Sequence, residues 1–227
     1  MRGSSFPRSL PLFLLATLTA CGAQTVASPT TIWRLERRTV RKIPSVQILG
    51  QPLAVNDPEG EALYFNGATD GIIFPSNPLE GASAFTIEVC FKPEADGPAE
   101  QRFLHVEDNQ GNRALLEIRQ EDKSWALDTF LYTAKNESKC TLLDRTKTHP
   151  SDRWTWVALT YENGHMAHFI DGVKELVGKV DFPLFGAGQI SAGVRLNKVY
   201  WFKGSIREVR FHPVALPDER LQRAETK

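Results

Sequence analysis

Charged residues interrupt otherwise apolar runs at Arg102 in R-F-L-H-V, Glu117 and Arg119 in A-L-L-E-I-R, and Arg195 in I-S-A-G-V-R-L. Isolated buried charges are costly unless they are paired or used, so this density marks a candidate site. Read as a strand, A-L-L-E-I-R puts Leu115, Glu117 and Arg119 on one face and Ala114, Leu116 and Ile118 toward a core. Asp128, Arg195, Asn197 and Trp201 fall in segments that, read as strands, line the same concave sheet. Carboxylate, amide and guanidinium groups beside an aromatic ring suit a sugar, whose hydroxyls take bidentate hydrogen bonds and whose C–H faces stack. The expected ligand-binding set is therefore Glu117, Arg119, Asp128, Arg195, Asn197 and Trp201. Trp154 and Trp156 are expected in the core.

Two reactions also fit these residue types. Glu117 and Glu121 are a carboxylate pair on one strand face, the arrangement that glycoside hydrolysis needs. Arg119 stands between them, and a guanidinium there favours the ionised carboxylates and opposes the acid role. A polysaccharide lyase needs a cation to neutralise a uronate carboxylate and a His or Tyr to move protons. Arg119 supplies such a cation, and His105, Tyr132 and Tyr200 supply proton carriers. His165-x-x-His168 has a chelate-like spacing, but residues three apart on a strand point to opposite faces, so zinc is not expected.

The chain has 227 residues with 27 basic and 27 acidic side chains, a balance that argues against nucleic acid as a partner. Its 41% hydrophobic content supports one well-buried domain, not two large ones. Fourteen prolines and sixteen glycines between short apolar runs favour turns over long helices.

The first residues read as an export signal. Arg2 and Arg8 precede the apolar stretch 10–18, which is too short to span a bilayer. Leu18-Thr19-Ala20-Cys21 resembles the lipobox of bacterial lipoproteins, in which the cysteine receives diacylglycerol and becomes the mature N-terminus. That resemblance implies a lipid-anchored envelope protein, in the outer membrane if the cell has two. Residues 24–31 are small and polar, as a linker should be. Arg34, Arg37, Arg38, Arg41 and Lys42 follow; they suit either anionic head groups or the solvated face of a short element with Ile32, Leu35 and Ile43 inward.

Trp154–Tyr161, Asn163-Gly164 and Met166–Ile170 read as a β-hairpin, with Asp171-Gly172 as a second turn. Phe85, Ile87, Val89 and Phe91 alternate with Thr86, Glu88 and Cys90. Further strands fall at 62–65, 71–75, 102–106, 114–119, 125–132, 140–143, 189–196 and 199–211. Short strands at regular spacing without helical period predict an all-β, two-sheet antiparallel jelly-roll β-sandwich.

A-L-Y-F-N-G-A-T-D, F-T-I-E-V-C-F-K-P, W-T-W-V-A-L-T-Y-E-N-G, F-I-D-G and F-K-G-S-I-R-E-V-R-F-H-P-V-A-L resemble, in order, laminin-G-like domains of the concanavalin A-like lectin/glucanase superfamily. The resemblance covers about residues 60–221. It implies structural calcium at Asn66 and Asp70, with a turn held by the Asn and Asp side chains as the alternative. Arg207 stands where the family often has Asp, and would repel the ion; Cys90 stands where it often has Trp. Sandwich-fold glycoside hydrolases carry Glu-x-Asp-x-Glu where this chain has Glu117-Ile118-Arg119-Gln120-Glu121. Leu115–Arg119 keeps only the last three positions of the groove motif of alginate-lyase jelly rolls, Arg-Ser/Thr-Glu-Leu/Val-Arg. Cys90 and Cys140 remain once Cys21 is lipidated. In an oxidising compartment they form a bridge worth roughly 4 kcal/mol, or stay two buried thiols.

The expected organisation is a signal peptide at 1–20, an anchor and tether at 21–45 and a laminin-G-like domain at 46–227. The expected function is a lipid-anchored module at the cell surface or in the periplasm that binds a polysaccharide or glycoconjugate and requires no cofactor. A lyase at the same groove and a protein-binding envelope scaffold are the alternatives.

Overall fold

The computed structural model describes Met1 and residues 30–224. The export segment 1–20 (but for Met1) and the lipidation residue Cys21 lie outside the described residues. The chain runs β1 (Thr31–Arg34), α1 (Arg37–Val40), β2 (Gln47–Leu49), β3 (Leu53–Asp57), β4 (Gly60–Asn66), β5 (Gly71–Phe74), β6 (Phe85–Pro93), β7 (Glu100–Asp108) and β8 (Arg113–Glu121). It continues through β9 (Ser124–Tyr132), β10 (Lys139–Leu143), β11 (His149–Pro150), β12 (Thr155–Glu162), β13 (His165–Ile170), β14 (Val173–Lys179), β15 (Gly188–Ala192) and β16 (Lys203–His212). Sheet A has the order β14-β13-β12-β6-β16-β4-β3, with β1 on β16. Sheet B has the order β10-β9-β8-β7-β15-β5-β2, with β11 on β9. Every pairing is antiparallel, so the expected two-sheet jelly roll is what forms.

Alternation builds the core. Phe85, Ile87, Val89 and Phe91 of β6 meet Ala114, Leu116 and Ile118 of β8 between the sheets. Phe91 stacks on Phe103 at 4.4 Å, and Trp125 packs edge-on against it at 5.1 Å. Polar groups also enter this space. His168, fully buried, meets Thr129 Oγ1 of the opposite sheet at 3.1 Å. Its other nitrogen lies 3.5 Å from Glu175, which also contacts His149 at 2.8 Å. Burial pushes the Glu175 carboxyl up, but the two histidines outweigh it and bring it down to about 2.

The structure corrects several expectations. Residues 31–35, expected within the tether, belong to the fold: β1 pairs with β16 and Leu35 is fully buried in the core. Ile32, expected inward, is half exposed, whereas Ile43 packs on the core. The strand pattern missed β14, V-K-E-L-V-G-K, an edge strand with little buried surface and so little alternation. Trp154 and Trp156 are not core residues; they are half-buried on the outer face of sheet A. Cys90 and Cys140 are both free. Cys90 sits on that same outer face, while Cys140 packs against the core from β10 of the other sheet, so sheet A separates the thiols. Burial raises both thiols, Cys90 to about 12, which keeps them protonated.

The C-terminal segment covers part of sheet A. Leu216 and Leu221 pack on Ala158 and Phe169, and the Gln222 N–H donates to Glu88 Oε1 at 2.7 Å.

Two outcomes follow. Leu35→Ala should cost about 2–5 kcal/mol in denaturant unfolding, as for a core leucine and unlike a tether residue. Glu175 is lower in the folded than in the unfolded state, so its contribution is complete above about pH 4.5 and is lost as pH falls toward 2. Acid titration of Glu175→Gln should lack that component.

Candidate functional site

The outer face of β8 is where the predicted charges meet. Register places Glu117 opposite Asp128 of β9 and Arg102 of β7, and Arg119 opposite Glu100. Arg119 contacts Glu100 at 2.7 Å, Asp128 at 2.5 Å and Glu117 at 3.2 Å. Arg102 contacts Glu117 at 2.8 Å and Glu100 at 3.1 Å. Two guanidiniums thus interlock with three carboxylates across three strands. Glu117 is 2% exposed and Asp128 1%, so the lattice is nearly dry although it lies outside the core.

A loop between β15 and β16 roofs one side of it. Gly193, with φ of 77°, turns the chain; a Cβ there would lie 2.2 Å from the Phe65 ring. Lys198 and Tyr200 take φ of 62° and 58°, a costly conformation for residues with side chains. The Tyr200 carbonyl accepts the Arg102 N–H at 2.9 Å, and the Tyr200 ring stacks on the Arg102 guanidinium at 3.7 Å. Tyr200 as a whole remains 43% exposed. The Leu196 N–H donates to His105 Nδ1 at 3.2 Å, which leaves Nε2 to donate toward Glu107 at 3.0 Å.

Electrostatics follow from this burial. Desolvation raises Glu117; Arg119 favours its ionised form, as expected, and Arg102 does too, but burial outweighs them. Desolvation likewise raises Asp128, against the pull of Arg119. Arg102 and Arg119 hold the better-solvated Glu100 down. Burial lowers Arg119, but Asp128, Glu117 and Glu100 outweigh it and leave it raised. His105 is lowered, chiefly by burial. Several of these buried atoms meet ions at short distance yet lie off any hydrogen-bond line, among them Arg102 Nε, Glu117 Oε1, Arg119 Nη1 and Asp128 Oδ2.

Of the predicted ligand set, Glu117, Arg119 and Asp128 come together. Arg195, Asn197 and Trp201 do not join them as strand residues; β15 ends at Ala192 and β16 begins at Lys203, so all three ride on the loop. Glu100 was missed, although its register opposite Arg119 makes it central. So were Phe130 and Arg113 beside Tyr132, where the two rings stack and Arg113 lies 4.3 Å over Tyr132. Counting by twos from Asp128 and from Glu117 would have found them. Of the lyase set, Arg119 is saturated by carboxylates, His105 is buried, Tyr132 holds Arg113, and only Tyr200 is open. For calcium, Asn66 Oδ1 already accepts the N–H groups of Ala68, Thr69 and Asp70, and Asp70 Oδ1 accepts that of Gln51. Among the described residues no three His, Cys, Asp or Glu side chains are grouped to hold a metal.

Sheet A carries a second concavity on its outer face, of about 910 Å³, lined by Trp154, Trp156, Lys92, Arg153, Arg207 and Asp171 among others. Its tryptophans are already engaged: Arg207 lies 3.9 Å over Trp154, and Arg210 lies 4.9 Å over Trp156.

Two eight-stranded antiparallel sheets with this strand order define a concanavalin A-like jelly roll. A family model matches residues 66–222, and the chain belongs to that family, the third laminin-G family of the concanavalin A-like lectin/glucanases superfamily. No curated protein matches the chain in sequence. Among solved structures it is similar to domain 4 of AbnA, an extracellular GH43 arabinanase of Geobacillus stearothermophilus in complex with arabinotriose, with 20% identity and a TM-score of 0.57 over 87% of this chain and 88% of that one. It is also similar to the CBM40 of the Ruminococcus gnavus IT-sialidase bound to α2,3-sialyllactose, with 21% identity and a TM-score of 0.50 over 62% and 81% of the two chains. The botulinum neurotoxin serotype D binding domain aligns with 17% identity and a TM-score of 0.58 over 83% of this chain and 48% of that one.

Arg119→Ala should destabilise the fold by about 3–5 kcal/mol in urea unfolding, because it strands buried carboxylates. Folded-state Glu117 and Asp128 are raised, so their ionisation costs stability as pH rises above the unfolded carboxylate range. The deficit of the variant should therefore narrow as pH is lowered toward about 4.

Proposed function

We propose that this protein is an exported, lipid-anchored module that binds a polysaccharide or glycoconjugate across the outer face of sheet B. The observation that carries this reading is an exposed, strained tyrosine stacked on Arg102 at the edge of a rigid, buried ion-pair lattice. The ion-paired lattice fixes the half-exposed Glu100, whose carboxylate can accept hydrogen bonds from sugar hydroxyls. The Tyr200 ring offers a stacking surface, and the half-exposed Glu100 offers a charged hydrogen-bond acceptor. Arg195, Asn197 and Trp201 on the adjoining loop extend the contact surface. Structural relatives solved with arabinotriose and with sialyllactose support a glycan as the ligand class.

Binding is favoured over cleavage. Lyase chemistry needs a cation free to neutralise a substrate carboxylate, and Arg119 is already shared by Glu100, Glu117 and Asp128. The anchor is diacylglycerol on Cys21, placing the module in the cell envelope, with the outer membrane as the expected site.

The test is retention of the chain from residue 22 onward on a panel of neutral and uronate polysaccharides, arabino-oligosaccharides and sialyllactose. Retention by at least one member is expected, weakened about tenfold or more in Tyr200→Ala, in keeping with the loss of one stacked aromatic contact. Retention that Tyr200→Ala leaves intact would overturn the site, and new reducing ends would overturn the assignment as a binder. For the anchor, mass spectrometry of the protein extracted from its native membranes should show a diacylglycerol adduct on Cys21 that Cys21→Ser abolishes.

A further inference from the structure

We propose that the corner of the sandwich built by α1, β2 and β3 docks on an anionic phospholipid bilayer. The strands β2 and β3 are the last strands of sheets B and A, and α1 lies between them with Val40 buried beneath it. The other side of α1 and the turn after it present Arg37, Arg38, Arg41 and Lys42, all exposed. Among the described residues none of these four forms an ion pair. The nearby carboxylates are engaged with other groups: Glu61 accepts the Arg37 backbone N–H at 2.6 Å, and Glu36 accepts the Thr39 hydroxyl at 2.9 Å.

Apolar surface adjoins this charge. Ile48 is 39% exposed and Leu53 59%. A cavity of about 310 Å³ opens between them, floored by Val40, Leu63 and Ile72 and rimmed by Arg37 and Arg41. Cations flanking exposed aliphatic side chains match the chemistry of a bilayer interface, where phosphate groups lie just outside acyl chains. A soluble anion would satisfy the arginines and leave Ile48 and Leu53 in water; a bilayer covers both.

Chain length supports the same occupant. This step rests on the lipid-anchor reading above. Thr31 opens β1 ten residues after Cys21, so a fully extended connection reaches at most about 35 Å. The basic corner follows β1 directly and is therefore held near the membrane. Docking it would give the sandwich one orientation on its anchor.

Among the described residues every strand and core residue lies within 30–224, so the chain from residue 22 onward keeps this fold without a lipid. That protein is sedimented with phosphatidylglycerol/phosphatidylethanolamine vesicles and with phosphatidylcholine vesicles. Binding to the anionic vesicles only, released at about 0.5 M salt, is expected. Arg37→Glu/Arg41→Glu should weaken it at least tenfold, and Leu53→Ser should weaken it at low salt, both with unchanged circular dichroism and unchanged polysaccharide retention. Equal binding to phosphatidylcholine, no binding to anionic vesicles, or full binding by the folded double variant each overturns the proposal. The mass of Cys21 reads the anchor separately, so failure of one reading is not mistaken for failure of the other.

Discussion

On one face of β8 are Ala114, Leu116 and Ile118, buried against the opposite sheet; on the other are Glu117 and Arg119, nearly as dry. A charge withdrawn from water must be neutralised where it stands, because the desolvation cost is otherwise several kcal/mol per ion. Arg119 can meet Glu100, Glu117 and Asp128 only if β7, β8 and β9 keep their register. A slip of one residue would send Glu117 into the core and Leu116 outward, and would break the lattice at the same time. The apolar core supplies the bulk of the stability, and the lattice makes one alignment of these strands far better than its neighbours.

Both outer faces are modified by segments that are not strands. On sheet A the C-terminal segment lays Leu216 and Leu221 over Ala158 and Phe169, so those two residues are buried on the side away from the main core. On sheet B the 193–202 loop shields His105 and carries Tyr200 over Arg102. The loop is positioned by backbone bonds, Gly193 N–H to the Phe103 carbonyl and Phe202 N–H to the Gly193 carbonyl, which tie it to β7 and to itself. Positive φ at two non-glycine residues is therefore sustained by its surroundings and not by local preference.

The strands were legible where one face is buried and the other is not. Phe85–Phe91 and Ala114–Arg119 alternate because each separates a dry core from a polar exterior. Val173–Lys179 did not read as a strand because it is an edge with few buried side chains, and Thr31–Arg34 did not because a short strand with one exposed isoleucine carries too little pattern. Trp154 and Trp156 were misplaced for a different reason. Aromatic residues in an apolar run look like core, but their faces here are covered by Arg207 and Arg210, neighbours that periodicity cannot supply. The same limit hid Glu100: its role comes from cross-strand register with Arg119, which is a property of pairing and not of its own segment. The bridge between Cys90 and Cys140 failed because an even count says nothing about which side of a sheet each thiol occupies.

The chemistry of a face depends on what its charges are already doing. A catalytic cation or base must keep a lone pair, proton or contact in reserve for the reacting atoms. On sheet B the guanidiniums are spent on carboxylates and His105 is spent between Leu196 and Glu107. What remains open is the Tyr200 ring and the half-exposed Glu100, fixed in place by the buried groups behind them. Groups held rigidly before a ligand arrives lose little entropy on binding. On the reading proposed above, a surface of this kind is preorganised for a glycan, and the interlocking that makes it rigid also occupies the Arg119 and His105 groups that a lyase would use.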